Sequence, residues 1–479
     1  MTYSDMTAQA QPVGGDGPYG RIARFRRTAL DILAGADDRR LAQRTALYAF
    51  AIRAASAALA YLSQVILARW IGDYDYGLFV FVWVAMVLVG GIVPLGFTTT
   101  VQRFVPHYSE TGQWDLARGF TRGVALLVVG TALVFSVFAL GAVWLFQDAL
   151  YPSYLLPICL GLIALPLFAL TEFQDGIARN HNWVGISLAL PYIARPLAII
   201  GLLWLMVEFG MEADAVTAVA ALVIAVWAIA VVQLLLIRSR LSSKVPAGPR
   251  AYDWKLWFKA SLPVLFVEGF YLMLINADVL ILSIFKSPDE VGIYYATVKT
   301  LALVAFVYFA VVAACAHKFA TYHAAGDHEK LHAFVRDSVT WTFWPSLAVT
   351  VVLLAAGPFL LGLFGEAFLA GYPLMFILAV GLLARAAVGP VERLLNMLDQ
   401  QNACARAYAG AFAVNITLNF VLIPIYGLKG AAIATTTALI VESILLFNTA
   451  RTRLGINVLI WSPGGGNRAT VKQQASSDG

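Results

Sequence analysis

Long apolar runs set the pattern of this chain. Segments such as Gly123–Phe146, Ala215–Ile237 and Thr340–Phe364 carry almost no charge. At 1.5 Å of rise per residue, a helix of about 20 residues crosses a hydrocarbon core of about 30 Å. The runs are separated by short polar turns. Strict alternation of apolar and polar residues is absent, which excludes an outer-membrane β-barrel. The pattern predicts an all-α polytopic membrane protein of about 12 transmembrane helices. The spans fall near 45–69, 77–101, 123–146, 151–173, 184–207, 214–237, 260–283, 291–316, 338–364, 372–395, 406–425 and 430–450.

The pattern occurs twice. Adding 215 to Gly77 gives Gly292, so Asp75-Tyr76-Gly77-Leu78-Phe79 lies over Glu290-Val291-Gly292-Ile293-Tyr294. The same shift takes Arg103-Phe104 to Lys318-Phe319, and Arg53 to Glu268. Further on the offset is 220, which brings Gly161 over Gly381, Glu172 over Glu392, Arg195 over Asn415 and Gly210 over Gly430. Such internal repeats are common among transporters. The expected organisation is a basic N-terminal segment (1–44), a six-helix lobe (45–240), a linker (241–259), a second, homologous six-helix lobe (260–451) and a tail (452–479).

Composition narrows the class. At 60% hydrophobic and 13% charged residues, the chain is too apolar for a soluble protein, in which about 25% are charged. Cys159, Cys315 and Cys404 lie far apart in or beside apolar runs and read as small buried hydrophobes rather than a metal site or disulfide framework. Charge placement says more than the net +5. Loops after even-numbered spans carry Arg103, Arg118, Arg122, Arg179, Arg238, Arg240, Lys244, Lys318, Lys330 and Arg406, and Arg451 and Arg453 follow the last span. The opposite loops offer little basic charge beyond Lys286 and Lys429, and carry Asp73, Asp75, Asp148, Glu212, Asp214, Asp289 and Glu290. The positive-inside rule therefore places both termini in the cytoplasm. Residues 1–20 read as disordered and begin no signal peptide. Residues 21–44 are Arg-rich and read either as an interfacial helix or as a basic flank that fixes topology.

Enzyme motifs are missing. No GxxxxGK[ST] loop is present, and no cofactor motif is found. Asp73-Tyr74-Asp75 has the DxD form used by metal-dependent sugar transferases, but in a loop of about seven residues facing away from the cytoplasm it reads as a turn. His323, His328 and His332 are expected in a solvated loop.

Intramembrane charges are the candidate chemistry. A central Arg or Lys costs roughly 2.5–3.5 kcal/mol on insertion scales, so it normally faces a bundle interior or a watery cavity. Arg53, Arg195, Lys299 and Arg385 sit at intermediate depth, with Glu268, Asp278 and Glu442 as acidic members. Each cation could belong to a structural ion pair, such as Arg53 with Glu268 or Lys299 with Asp278. Taken together, the four suggest a cavity that accepts an anion, and phosphate suits both Arg and Lys. Pro94-Leu95-Gly96, Pro157 with Pro166, Pro191 with Pro196, and Gly389-Pro390 predict helix interruptions.

Several stretches carry a family resemblance. Leu67-Ala68-Arg69-Trp70-Ile71-Gly72 with Tyr76-Gly77-Leu78-Phe79 resembles the opening of the Wzx-like polysaccharide flippases, a branch of the multidrug/oligosaccharidyl-lipid/polysaccharide exporter superfamily. Asp278-Val279-Leu280, Asn415-Ile416-Thr417-Leu418-Asn419, Ile423-Pro424-Ile425-Tyr426-Gly427 and Gly430-Ala431-Ala432-Ile433-Ala434-Thr435 are similar to later parts of that family's pattern. The resemblance covers about residues 41–453. It implies two six-helix lobes related by a pseudo-two-fold along the membrane normal, in a bacterial inner membrane. It implies an undecaprenyl-diphosphate-linked oligosaccharide as cargo, for exopolysaccharide or lipopolysaccharide assembly. Partners would be that lipid-linked glycan, the bilayer and polysaccharide polymerase or export machinery; no nucleic-acid partner and no enzymatic activity are expected. Two other readings stand beside it. A drug or cation antiporter of the same superfamily would use Asp278, Glu268 and Glu442 for coupling ions. A glycan polymerase or ligase would need larger outer loops than this chain has.

Overall fold

In this computed structural model the structure describes residues 38–460 except positions 150, 182, 184, 243 and 399, with side chains from Ala55 onward except at 149, 313, 314, 316, 317, 320 and 324. The chain divides into two compact units, residues 1–55 and 56–479. Of the first, the described part is helical backbone from Asp38 on. Of the expected basic segment (1–44), residues 1–37 lie outside the described residues and 38–44 are helical.

Among the described residues of the second unit the regular structure is all helical. Helix α1 (Asp38–Ile92) is non-helical only at Gly72, whose φ of 82° favours glycine. The chain reverses there. Tyr76 Oη donates to Gln64 Oε1 at 3.1 Å, although twelve residues of straight helix would separate them by about 18 Å. The expected loop of about seven residues is therefore a single-residue corner. Asp75 in that corner accepts from the Ala215 amide at 3.1 Å, satisfying a helix N-terminus, so the DxD carboxylate has a structural partner.

The helices that follow are α2 (Phe97–Glu110), α3 (Trp114–Leu145), α4 (Pro152–Asn180), α5 (Arg195–Glu208) and α6 (Ala215–Ser242). The second half consists of α7 (Trp254–Phe285), α8 (Pro288–Leu301), α9 (Ala305–Ala324), α10 (His328–Ala355), α11 (Gly357–Gly362), α12 (Tyr372–Ala387), α13 (Val391–Met397), α14 (Gln401–Tyr426) and α15 (Leu428–Leu454). Among the described residues, 11 helical stretches are long and apolar enough to cross a membrane. The first, Ala55–Glu110, contains the corner at Gly72, so the crossings number twelve.

Proline acts unevenly. Pro94-Leu95-Gly96 breaks the second span, with Leu95 and Gly96 at φ of 54° and 78°. Gly389 (φ 63°) breaks the tenth between α12 and α13. Pro191 lies in wide π-helical turns over Gly185–Ala194 that lead into α5. Pro157 and Pro166, by contrast, sit inside an uninterrupted α4. The three histidines are not in a loop: His323 lies near the end of α9, and His328 and His332 are in α10, whose first turn is capped by Asp327.

Packing repeats with the sequence. In the first half α3 packs on α4, α4 on α6 and α5 on α6; in the second, α10 packs on α12, α12 on α15 and α14 on α15. These are the same pairs of spans, three with four, four with six and five with six, counted within each half. The two halves share one apolar core at the end bearing the Gly72 corner, where Tyr76, Phe79, Tyr294, Phe364 and Phe368 meet. Toward the opposite end, which bears the basic loops, each half has a core of its own. Trp257 of α7 joins the first half's core there.

The shared core depends on two repeat-mates. A Cβ on Gly77 would stand 1.7 Å from the Pro288 carbonyl oxygen, and one on Gly292 would stand 3.2 Å from the Asp73 carbonyl oxygen. The glycines lie against each other's strands of chain, as a pseudo-two-fold axis between them requires. Gly77→Ala should thus destabilise the purified protein by about 1–3 kcal/mol through overpacking. Gly201→Ala, where a Cβ meets nothing within 4 Å inside α5, should not. Equal thermal stability of the two variants in detergent would show that the contact is not tight.

Candidate functional site

The charged side chains expected within the membrane are distributed over both halves. In the first, the π-helical turns hand over to α5 at Arg195, which is 4% exposed. Its Nη2 donates to Thr171 Oγ1 of α4 at 3.1 Å, and its guanidinium lies over the Phe168 ring at 4.9 Å. Gln233 of α6 donates to the Thr171 carbonyl at 3.4 Å, so three helices converge on this point. Arg195 Nε has no acceptor, and no ion pair among the described residues includes Arg195. The nearby Asp175 is engaged elsewhere, paired with Arg179 one turn along α4. Glu172 and Tyr192 complete the ionisable groups whose fields reach Arg195.

In the second half Arg385 of α12 is paired. Its Nε lies 3.4 Å from Glu442 Oε1 of α15, and Glu442 is fully buried. Neither Glu442 oxygen meets the geometry of a hydrogen bond, so proximity of charge holds the pair. The guanidinium also lies 5.6 Å from the Tyr271 ring and 5.7 Å from the Tyr308 ring. Tyr308 in turn donates to Glu392 at 3.4 Å.

Asp278 and Lys299 are differently placed. Asp278 is buried in α7, and its Oδ2 accepts from Tyr294 at 2.6 Å and Thr435 at 3.0 Å. Its Oδ1 accepts from the Val279 amide at 2.9 Å. Hydroxyls and an amide thus surround this carboxylate. Lys299 does not pair with it within salt-bridge distance; the ammonium lies over the Tyr295 ring at 4.8 Å instead. Glu268 accepts from Thr99 of α2, a contact between the two halves. The side chain of Arg53 lies outside the described residues, so its suggested pairing with Glu268 does too.

The structure therefore joins Arg385 to Glu442 and keeps Arg195 apart in the other half. Sequence reasoning passed over Asp175, Thr171, Thr99 and Tyr294 as partners. Thr and Tyr carry no formal charge to mark them, yet their hydroxyls are common hydrogen-bond partners of buried carboxylates and guanidiniums.

Twelve crossings, a repeated packing order and buried charges in each half define a two-lobed helical membrane fold. Residues 43–316 match the family described as polysaccharide biosynthesis protein, more than half of the chain, and the chain belongs to that family. It is 24% identical over 286 residues to a probable low-salt glycan biosynthesis flippase, Agl15, of Haloferax volcanii. That match covers 59% of this chain and 58% of the relative, so the chain spans somewhat more than half the relative's length. Among solved structures, it is similar to an inward-facing multidrug resistance MATE family transporter of the MOP superfamily. There the TM-score is 0.69 at 13% identity, with 83% of this chain and 94% of the other covered. It is also similar to the lipid II flippase MurJ in an inward closed conformation. There the TM-score is 0.67 at 13% identity, with 85% and 88% covered. These likenesses establish the fold.

The Arg385–Glu442 pair generates a test. Leaving one buried charge unpaired costs about 3–5 kcal/mol, so Glu442→Ala should lower thermal stability and Arg385→Ala with Glu442→Ala should recover much of it. If transport also recovers in the double variant, Arg385 is structural. If stability alone recovers, Arg385 has a second role toward cargo.

Proposed function

We propose that the protein is a flippase that moves a lipid-linked oligosaccharide across the membrane by alternating access, and that it is not an enzyme. The finer reading is an undecaprenyl-diphosphate carrier in a bacterial inner membrane, with both termini cytoplasmic, serving exported or surface polysaccharide. Polymerase and export machinery would be its partners. Family membership and the named function of the Haloferax relative support the class. The observation that carries the chemistry is Arg195: a buried guanidinium with one N–H lacking an acceptor and no carboxylate in ion-pair range among the described residues. An isolated buried cation is costly unless an anion completes it. A diphosphate supplies that anion, and Arg reads it through a two-pronged fork.

In this reading Arg53, Arg195, Lys299 and Arg385 contact the diphosphate or acidic sugars while the lipid tail stays in the bilayer. A core shared at one end and divided at the other is compatible with a cavity opening between the halves toward the basic loops. Cargo that binds the two orientations unequally would then drive the exchange. Asp278 supports an added feature, coupling to a proton or sodium ion. It is a buried carboxylate held by two hydroxyls and an amide, with no cation in salt-bridge range among the described residues.

Reconstituted protein should translocate a fluorescent lipid-diphosphate oligosaccharide, and Arg195→Met should slow that transport by roughly tenfold or more. Thermal stability should hold or rise, because the variant removes an unpaired buried charge. A coupled loss of stability and transport would make Arg195 a packing residue. Strong drug sensitivity with normal surface glycan in a deletion strain would favour the antiporter. Reporter fusions after Gly112 and Lys244 should read cytoplasmic, and a fusion at Asp289 external; a reversed set would overturn the topology.

A further inference from the structure

A small hollow lies away from these charges, between the beginning of α14 and the end of α15. Its volume is about 240 Å³, and Ala403, Ala407 and Leu445 form its apolar part. Arg406, Thr449, Thr452 and Arg453 supply its polar part. No carboxylate lines it, and none of the ion pairs among the described residues includes either arginine. Two cations from different helices thus line one concavity, and an anion between them would be attracted by both.

Topological charge placement alone does not account for this convergence. Arg453 sits in the last turn of α15, where the helix dipole favours a cation. Arg406 sits in the second turn of α14, toward the opposite pole, and gains nothing from that helix. Carrying the 220-residue offset back to the first half places Ile186 and Gln233 at the matching positions, both buried and uncharged. At and just past the end of α6 the first half instead carries Arg240 and Lys244, whose charges lie over the Trp183 ring.

Depth identifies the ligand's source. Helices α14 and α15 are 26 and 27 residues long, enough to span the hydrocarbon with their ends at headgroup level. We propose that the hollow between Arg406 and Arg453 binds a phosphate group, and that its position makes a membrane phospholipid the source. Arginine forks would take the phosphate oxygens, and the Ala403, Ala407 and Leu445 floor would meet the glycerol and first methylenes. The site lies apart from the proposed cargo-binding charges and does not depend on that reading.

The test is native mass spectrometry of the full-length protein in detergent, titrated with three probes: phosphatidylglycerol, a phosphate-free galactolipid with the same chains, and inorganic phosphate. Wild type should retain phosphatidylglycerol over the galactolipid, and R406Q/R453Q should weaken that retention on the order of tenfold. R406K/R453K should fall between them, since lysine keeps the charge but not the fork. Both arginines are exposed, and a thermal melt confirms that each variant is folded. If a double variant does not fold, R406Q and R453Q alone should each show part of the loss. Inorganic phosphate binding as tightly as the lipid, with the same arginine dependence, would overturn the lipid as source while retaining the phosphate site. Equal retention of both lipids, or of phosphatidylglycerol by wild type and R406Q/R453Q, would overturn the proposal.

Discussion

The contact on which the rest depends is the mutual approach of Gly77 and Gly292. Each occupies a spot where a single methyl group would meet the backbone of the opposing half. Around them Tyr76 and Tyr294 are fully buried, and Tyr76 packs edge-on against Phe368 at 5.8 Å. Further ties cross the same end: Tyr61 donates to the Leu360 carbonyl, and Arg69 to the carbonyls of Gly362 and Leu363. In lipid there is little hydrophobic drive between helices, so close packing and hydrogen bonds must hold two bundles together. Both are concentrated at this end.

That concentration frees the other end to carry charge. In the second half Arg385 pairs with Glu442, and in the first Arg195 sits against Phe168, a member of the shared core, and donates to Thr171. Arg385 has an ion-pair partner within its own lobe, whereas Arg195 has none among the described residues. The two arginines differ in this respect although they lie at similar expected depth. Depth in the membrane predicts that a charge needs company, but not where that company comes from.

Much of the fold was legible in the sequence because hydrophobic length is a strong signal and the repeat registers it twice. The sites of failure share a cause. The Gly72 corner looked like a loop because Asp73-Tyr74-Asp75 is polar, yet helix resumes at once and Asp75 caps α6 instead. Pro157 and Pro166 looked like breaks, but a long apolar helix packed on α3 and α6 absorbs a lost N–H bond. Lys299 and Asp278, close in sequence, looked like a pair. Tyr294 and Thr435 took the carboxylate, since a buried anion is satisfied equally by hydroxyl donors. Arg385 and Glu442 lie 57 positions apart, and only the packing of α12 on α15 brings them together.

The course of α7 has a mechanical meaning. Arg118 of α3 grips the carbonyls of Pro246 and Pro249 just ahead of this helix. Trp257 Nε1 then donates to Tyr108, Ser261 bonds with Thr100, and Glu268 accepts from Thr99. Its early turns are thus fastened to the first half. Beyond them, Leu274 enters the second half's core and Asp278 is held by Tyr294 and Thr435. One continuous helix thus passes from contacts with the first half to contacts with the second, so a relative rotation of the halves would load it. The flexure would fall at Gly269, where a Cβ would touch nothing within 4 Å, close to Pro263, which leaves one helical hydrogen bond unmade. In the proposed alternating-access cycle the helix would act as a leaf spring, its stiffness setting how far the halves can swing.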